Sequence, residues 1–221
     1  MTHERARLDR TATGSPWWPS LPRRGAAAAA VAALAACAAP AHDAPATERA
    51  SATASAIQGG ADDATHTFVV GITDGASTCS GTLIAPNLVL TARHCVADSG
   101  SSDVVDCATD VFSAPQAART FRVTTDAAIA GAKTTFRGAK IFVPDDKKFC
   151  GNDIALLMLE ANVPASVATP AAPVLSPKMT DHARYGTAIA AVGYGITGPG
   201  QSDDGKRRLR ENVPLRCIPG D

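Results

Sequence analysis

The sequence carries no excess of either charge: 21 lysines and arginines stand against 21 aspartates and glutamates in 221 residues. Nucleic acid or another polyanion therefore has no electrostatic footprint to bind. Cys-x-x-Cys and regular Cys/His spacings are absent, which argues against a zinc site. No acidic cluster has the ligand density of a calcium loop, so no metal and no cofactor is implied. There is no usable internal repeat. The Ala-rich apolar run from Gly25 to Ala36 has only 12 residues, against the roughly 20 a bilayer-spanning helix needs. Neither Gly-x-Ser-x-Gly nor Gly-Asp-Ser-Gly occurs anywhere, although those patterns place a nucleophilic serine in two large hydrolase groups.

What is present points to an exported globular protein. Apolar residues make up 45% of the chain, enough for a core, and six cysteines are many for a cytosolic protein of this size. Disulfides in an oxidising compartment account for them best. The N-terminus agrees. A polar, basic stretch ends in Arg23-Arg24, the 12-residue apolar run follows, and Leu34-Ala35-Ala36-Cys37 closes it. The order and lengths are those of a signal peptide. The last four residues resemble the lipobox of bacterial lipoproteins, which implies lipidation of Cys37 and anchoring of the mature chain to a membrane in the cell envelope. An ordinary signal peptide with a coincidental cysteine is the plainer alternative. Residues 38–56 are Ala, Pro, Thr, Ser, Asp and Glu-rich without an aromatic. They read as a disordered linker or propeptide.

From Ile57 onward the pattern is of short strands. Thr67–Ile72, Gly81–Ile84, Leu88–Thr91, Phe121–Thr124 and Ala139–Val143 are rich in β-branched and aromatic residues, and Ala85-Pro86-Asn87 marks a turn. Ile154–Leu159 is a continuous apolar run whose length and preceding Gly151-Asn152 favour a buried strand over a helix. Ala161–Pro177 reads as a connector and Glu211–Ile218 as one more strand. The basic run Lys206-Arg207-Arg208-Leu209-Arg210, beside Asp203 and Asp204, reads as a solvated loop. The fold class is all-β, a barrel or sandwich.

Two segments carry chemistry. Leu90-Thr91-Ala92-Arg93-His94-Cys95 places a histidine at the end of a strand, against a cysteine. Gly151-Asn152-Asp153-Ile154-Ala155-Leu156-Leu157 places an aspartate at the mouth of an apolar one. Alone, each would read as a surface histidine and a loop aspartate. Together, and in this order, they resemble the histidine and aspartate segments of the trypsin/chymotrypsin family of serine endopeptidases. Arg93 departs from the alanine usual there, a change that bears on packing or charge near the site. Ile57-Gln58-Gly59-Gly60 is similar to the start of the mature family enzyme, and Val192-Gly193-Tyr194-Gly195 to the turn that opens its second barrel.

The resemblance implies a double six-stranded β-barrel acting on polypeptide substrates, with His94 as general base and Asp153 orienting it. It implies a Cys79–Cys95 disulfide and an activation N-terminus at Ile57, where the preceding Ala56 does not suit a trypsin-like activator. The nucleophile should follow both residues, yet no matching serine segment is found; Ser202 lies in a polar loop too close behind Gly195. The expectation is a domain over 57–221 whose first barrel is complete, whose second is incomplete, and which is truncated before the nucleophile. Cys107 and Cys150 flank the variable region and are expected to pair, leaving Cys217 for a segment beyond the chain; other pairings of these three remain open. Two functions follow: a serine-type endopeptidase that is inactive as written, or a non-catalytic envelope lipoprotein that uses the first barrel as a binding module.

Overall fold

The computed structural model describes residues 49–51, 57–100, 104–175 and 182–215, all within one compact unit, Asp43–Asp221. Eleven strands are assigned among them: β1 (Arg49–Ser51), β2 (Ala61–Asp62), β3 (Val69–Thr73), β4 (Thr78–Ala85), β5 (Leu88–Thr91), β6 (Val104–Asp106), β7 (Arg122–Thr124), β8 (Thr135–Phe142), β9 (Ala155–Leu159), β10 (Ala188–Gly193) and β11 (Arg208–Pro214). Among the described residues the one α-helical segment is the single turn His182–Tyr185. The all-β expectation holds.

Six strands close a barrel in the order β3-β4-β5-β9-β8-β7. Closure removes the free edges that an open sheet would expose. Along β9 every second residue is buried, Ala155, Leu157 and Leu159 pointing inward, as the two-residue period of a strand requires. They meet Val70, Ile72, Leu83, Val89, Phe121 and Val123 in one continuous core. The apolar run is thus a strand from Ala155 on, while Ile154, just before it, is exposed. β8 begins four residues before the expected Ala139: Thr135–Arg137 pairs with β7, with Thr135 and Arg137 exposed and Phe136 packed against the core. One apolar residue between two polar ones is too short an alternation to read as a strand.

Gly138, on β8, sits at the tightest point of the barrel wall. A β-carbon there would press directly on the carbonyl oxygen of Ala118, with Leu157 Cδ1 only 2.9 Å away. Backbone cannot move aside as a side-chain tip can. Gly138→Ala is expected to lower stability by about 1–3 kcal/mol, read as a reduced urea midpoint at unchanged slope; an unchanged midpoint would contradict this packing.

A second, three-stranded sheet runs β10-β11-β2. It is the partial counterpart of the first barrel, as expected, but differs from expectation in two ways. β2 joins it from far upstream, Ala61 opposite Leu209 and Asp62 opposite Arg208. And β11 starts at Arg208, inside the run read as a solvated loop. That reading is corrected: Arg207 and Arg208 are 2% and 6% exposed, because each finds an acidic partner, Asp63 and Asp203. β1 falls within the stretch read as a linker and pairs antiparallel with β6. Cys37 and Cys217 lie outside the described residues.

Candidate active site

His94 and Asp153 are 59 residues apart in sequence, and the barrel brings them together. β5 and β9 are antiparallel neighbours, Leu88 opposite Met158 and Thr91 opposite Ala155. The C-terminal end of β5 therefore lies beside the N-terminal start of β9. His94 sits in a 3₁₀ turn, Arg93–Cys95, just past β5. Asp153 stands two residues before β9 begins. Neither segment needs to reach: strand register does the placing.

The pair is doubly bonded. The His94 ring Nδ1–H donates to Asp153 Oδ2 at 2.8 Å, and the His94 backbone N–H donates to Oδ1 at 2.9 Å. With its proton held on Nδ1, the ring presents Nε2 as the free base. The Asp153 hydrogen bond, first, and its charge raise the His94 pKa above the ordinary value, against the opposing effect of burial. Burial alone would raise the Asp153 carboxyl; the hydrogen bonds from the His94 ring and backbone outweigh it and hold that carboxyl low. The histidine side chain is about half exposed, at 51%, so a reacting group has access to it.

The surroundings of the pair are braced from three sides. Cys79 on β4 is bonded to Cys95 next to His94. Cys107 is bonded to Cys150, three residues before Asp153. Arg93 is buried, 2% exposed, although the residue type is almost never fully buried without a partner. Its guanidinium donates through Nη1 to the carbonyls of Pro144 and Asp146 at 3.1 and 2.7 Å. It also lies 4.7 Å over the ring of Phe112. The expectation that Arg93 bears on packing near the site is met by these contacts.

Among the described residues the one group of three that could hold a metal is Cys79, His94 and Cys95. The two sulfurs are bonded to each other and offer no thiolate, which is the form that binds metal. Ile57 lies beside the second sheet, its N–H donating to Ile196 O at 3.0 Å and its Cδ1 close to Gly193. Tyr194, in the turn that follows β10, is fully buried; its N–H donates to Ser80 Oγ at 2.8 Å and its hydroxyl to Asp126 O at 2.6 Å.

Sequence reasoning did not find the polar network behind this turn. Arg207 donates through Nε to Asp63 Oδ2 and through Nη1 to Val69 O, Thr125 O and Tyr194 Oη. The only signal in the sequence was Asp62-Asp63 upstream of the basic run, and nothing local links the two.

A family model described as Trypsin matches residues 57–214, well over half of the chain. No curated protein matches.

Proposed function

Because this chain belongs to the trypsin family, we propose that His94 and Asp153 are the proton-handling pair of a serine-endopeptidase site, directed at polypeptide substrates. The observation that carries the reading is the two-point bond between them, 2.8 Å from the ring and 2.9 Å from the backbone. A single contact would allow the imidazole to swing. Two fix the carboxylate against both ring and main chain, so that Nε2 can take a proton from an attacking hydroxyl and return it to a leaving amine. Such a pair supplies base catalysis and stabilises the imidazolium formed on the way.

The nucleophile is a separate matter. The 221 residues contain no Gly-Asp-Ser-Gly segment, and in this family that segment also builds the oxyanion hole. We therefore infer that this chain by itself forms no acyl-enzyme. Incubating the full chain with a fluorophosphonate probe is expected to leave every serine unlabelled. A covalent adduct on any serine, mapped by mass spectrometry, would overturn this. The same adduct abolished by His94→Ala would identify a working triad.

The alternative is a non-catalytic role in which the first barrel binds a partner. Its closed six-stranded wall and single core favour it, since the barrel needs nothing further to complete its hydrogen bonding. Under either reading we propose export, with Leu34-Ala35-Ala36-Cys37 as a lipidation signal that anchors the chain at Cys37 to the cell envelope. The disulfides at Cys79–Cys95 and Cys107–Cys150 suit an oxidising compartment. No helix among the described residues is long and apolar enough to cross a membrane. Ile57, already seated beside Gly193, is the residue whose α-amino group cleavage after Ala56 would free.

A further inference from the structure

We propose that Arg93 is a positioning residue for the His94–Asp153 pair: its backbone carries His94, while its guanidinium holds from inside the 144–150 loop that delivers Asp153. This rests on the reading of that pair as the proton-handling centre.

The geometry is specific. The β5–β9 register sets Asp153 beside His94, and the chain from Pro144 to Asn152 leads into Asp153. On its outer side that loop is fastened to the 106–112 segment: Phe112 N–H donates to Lys147 O at 2.7 Å, Phe149 N–H donates to Asp110 O at 3.0 Å, and the Cys107–Cys150 disulfide closes it. Its inner side meets Arg93. Two carbonyls of the loop, Pro144 O and Asp146 O, converge on Nη1. The guanidinium carbon lies 4.7 Å over the ring of Phe112, which stacks at 4.6 Å on Phe149 of the loop. One cation thus ties the loop, the segment outside it and the histidine turn into one unit. From Phe149 the chain is carried on by Asn152 N–H donating to Phe149 O, and Asp153 follows.

The chemistry of the contact requires arginine. The acceptors are neutral carbonyls and an aromatic face, and among the described residues no carboxylate pairs with Arg93. The buried Nε has no partner at all. An ion pair is therefore not what selects this side chain. A planar group able to hydrogen-bond at its tip and stack along its face is. Lysine offers a point charge, with no plane to lie on Phe112. Alanine leaves two carbonyls and a ring with nothing between them and the histidine turn. The next residue on the same turn bonds Asp153 through its backbone, His94 N–H donating to Oδ1 at 2.9 Å.

The test uses the full chain with both disulfides formed. Four variants are compared with it: Arg93→Ala, Arg93→Lys, Phe112→Leu and Asp153→Asn. Two signals are read: the NMR titration midpoint of the His94 ring and amide hydrogen exchange over residues 144–150. Asp153→Asn is expected to move the midpoint down, since it removes the carboxylate that raises it. Arg93→Ala is expected to move it in the same direction although Asp153 is intact, with loop exchange rising about tenfold, the equivalent of roughly one lost buried hydrogen bond. Arg93→Lys is expected to recover part of both. If Asp153→Asn shifts the midpoint but a folded Arg93→Ala does not, the role of Arg93 is refuted, whatever the loss in global stability. If Asp153→Asn itself changes nothing, the reading of the pair falls first. Should Arg93→Ala fail to fold, Phe112→Leu decides: a smaller downward shift with faster loop exchange supports the role, and an unchanged midpoint overturns it.

Discussion

Replacing Asp63 by alanine is expected to destabilise the fold by about 3–5 kcal/mol, because it strands a buried charge. Asp63 and Arg207 are 5% and 2% exposed, and Arg207 Nε–H donates to Asp63 Oδ2 at 3.1 Å. The arginine helps to join the two sheets: its other hydrogen bonds end on Val69 O at the start of β3, Thr125 O after β7 and the Tyr194 hydroxyl after β10. Without the carboxylate, the guanidinium keeps those neutral acceptors but has no counter-charge although it is itself buried. Urea unfolding at neutral pH reads the loss, and a cost under about 1 kcal/mol, the size of an exposed ion pair, would show the pair to be solvated. Replacing both residues by apolar ones is expected to recover only part of it, since the carbonyls that Arg207 satisfies would then be orphaned.

The same carboxylate makes stability depend on pH. Burial pushes the Asp63 carboxyl up, but hydrogen bonds from the His66 and Thr65 side chains and from their backbone amides prevail and hold it well below its ordinary 3.8. The folded state therefore binds this proton more weakly than the unfolded state does. The contribution to stability is complete above the ordinary value and is lost as pH falls below it toward the depressed one. The unfolding midpoint of the wild type should drop below pH 4, and Asp63→Asn should flatten that part of the profile.

Removing the Cys107–Cys150 disulfide by paired serine substitution is expected to cost about 4 kcal/mol. The bond closes a sequence separation of 43, and loop-closure entropy in the unfolded chain grows with loop length. The Cys79–Cys95 bond, at a separation of 16, should be worth about 3 kcal/mol by the same relation. The order of the two is the sharper prediction, because strain and residual unfolded structure alter absolute values. Denaturant unfolding of the two double variants decides it; a larger loss at Cys79–Cys95 would show that rigidity at β4 and β5 outweighs chain entropy. Loss of Cys107–Cys150 should also free the outer side of the loop before Asp153, where Arg93 then remains the inner fastening.

Much of this molecule is legible one segment at a time. Leu88–Thr91 stands where its β-branched pattern and Pro-Asn turn place it. Ile154–Leu159 reads as buried because it is apolar at every position; from Ala155 on it fills the core from alternate residues, and Ile154 is exposed. In Thr135–Arg137 only Phe136 packs against the core, too short an alternation to read as a strand. β2 is two residues long and has no pattern to read.

The basic run at 206–210 is the clearest contrast. Locally it is a cluster of charge, and charge favours water. What reverses that is Asp63, at a sequence separation of 144, arriving through β2 at the edge of β11. No window along the chain contains both residues. His94 and Asp153, and the ring bond between them, are legible by resemblance; the second bond, from the His94 backbone N–H to Asp153, is not.

What the sequence determined by itself is therefore the local vocabulary: which stretches are strands, where they turn, and which two residues resemble the histidine and aspartate of trypsin-family sites. These follow from side-chain branching, apolar period and short motifs, all of which act between near neighbours. Only the tertiary structure decided that Arg93 is a buried brace, that Arg207 is an inter-sheet staple, and that the His94 backbone N–H meets Asp153 at 2.9 Å. Burial and pairing of charge depend on what lies across the barrel, and that is set by strand register, summed over the whole closed sheet.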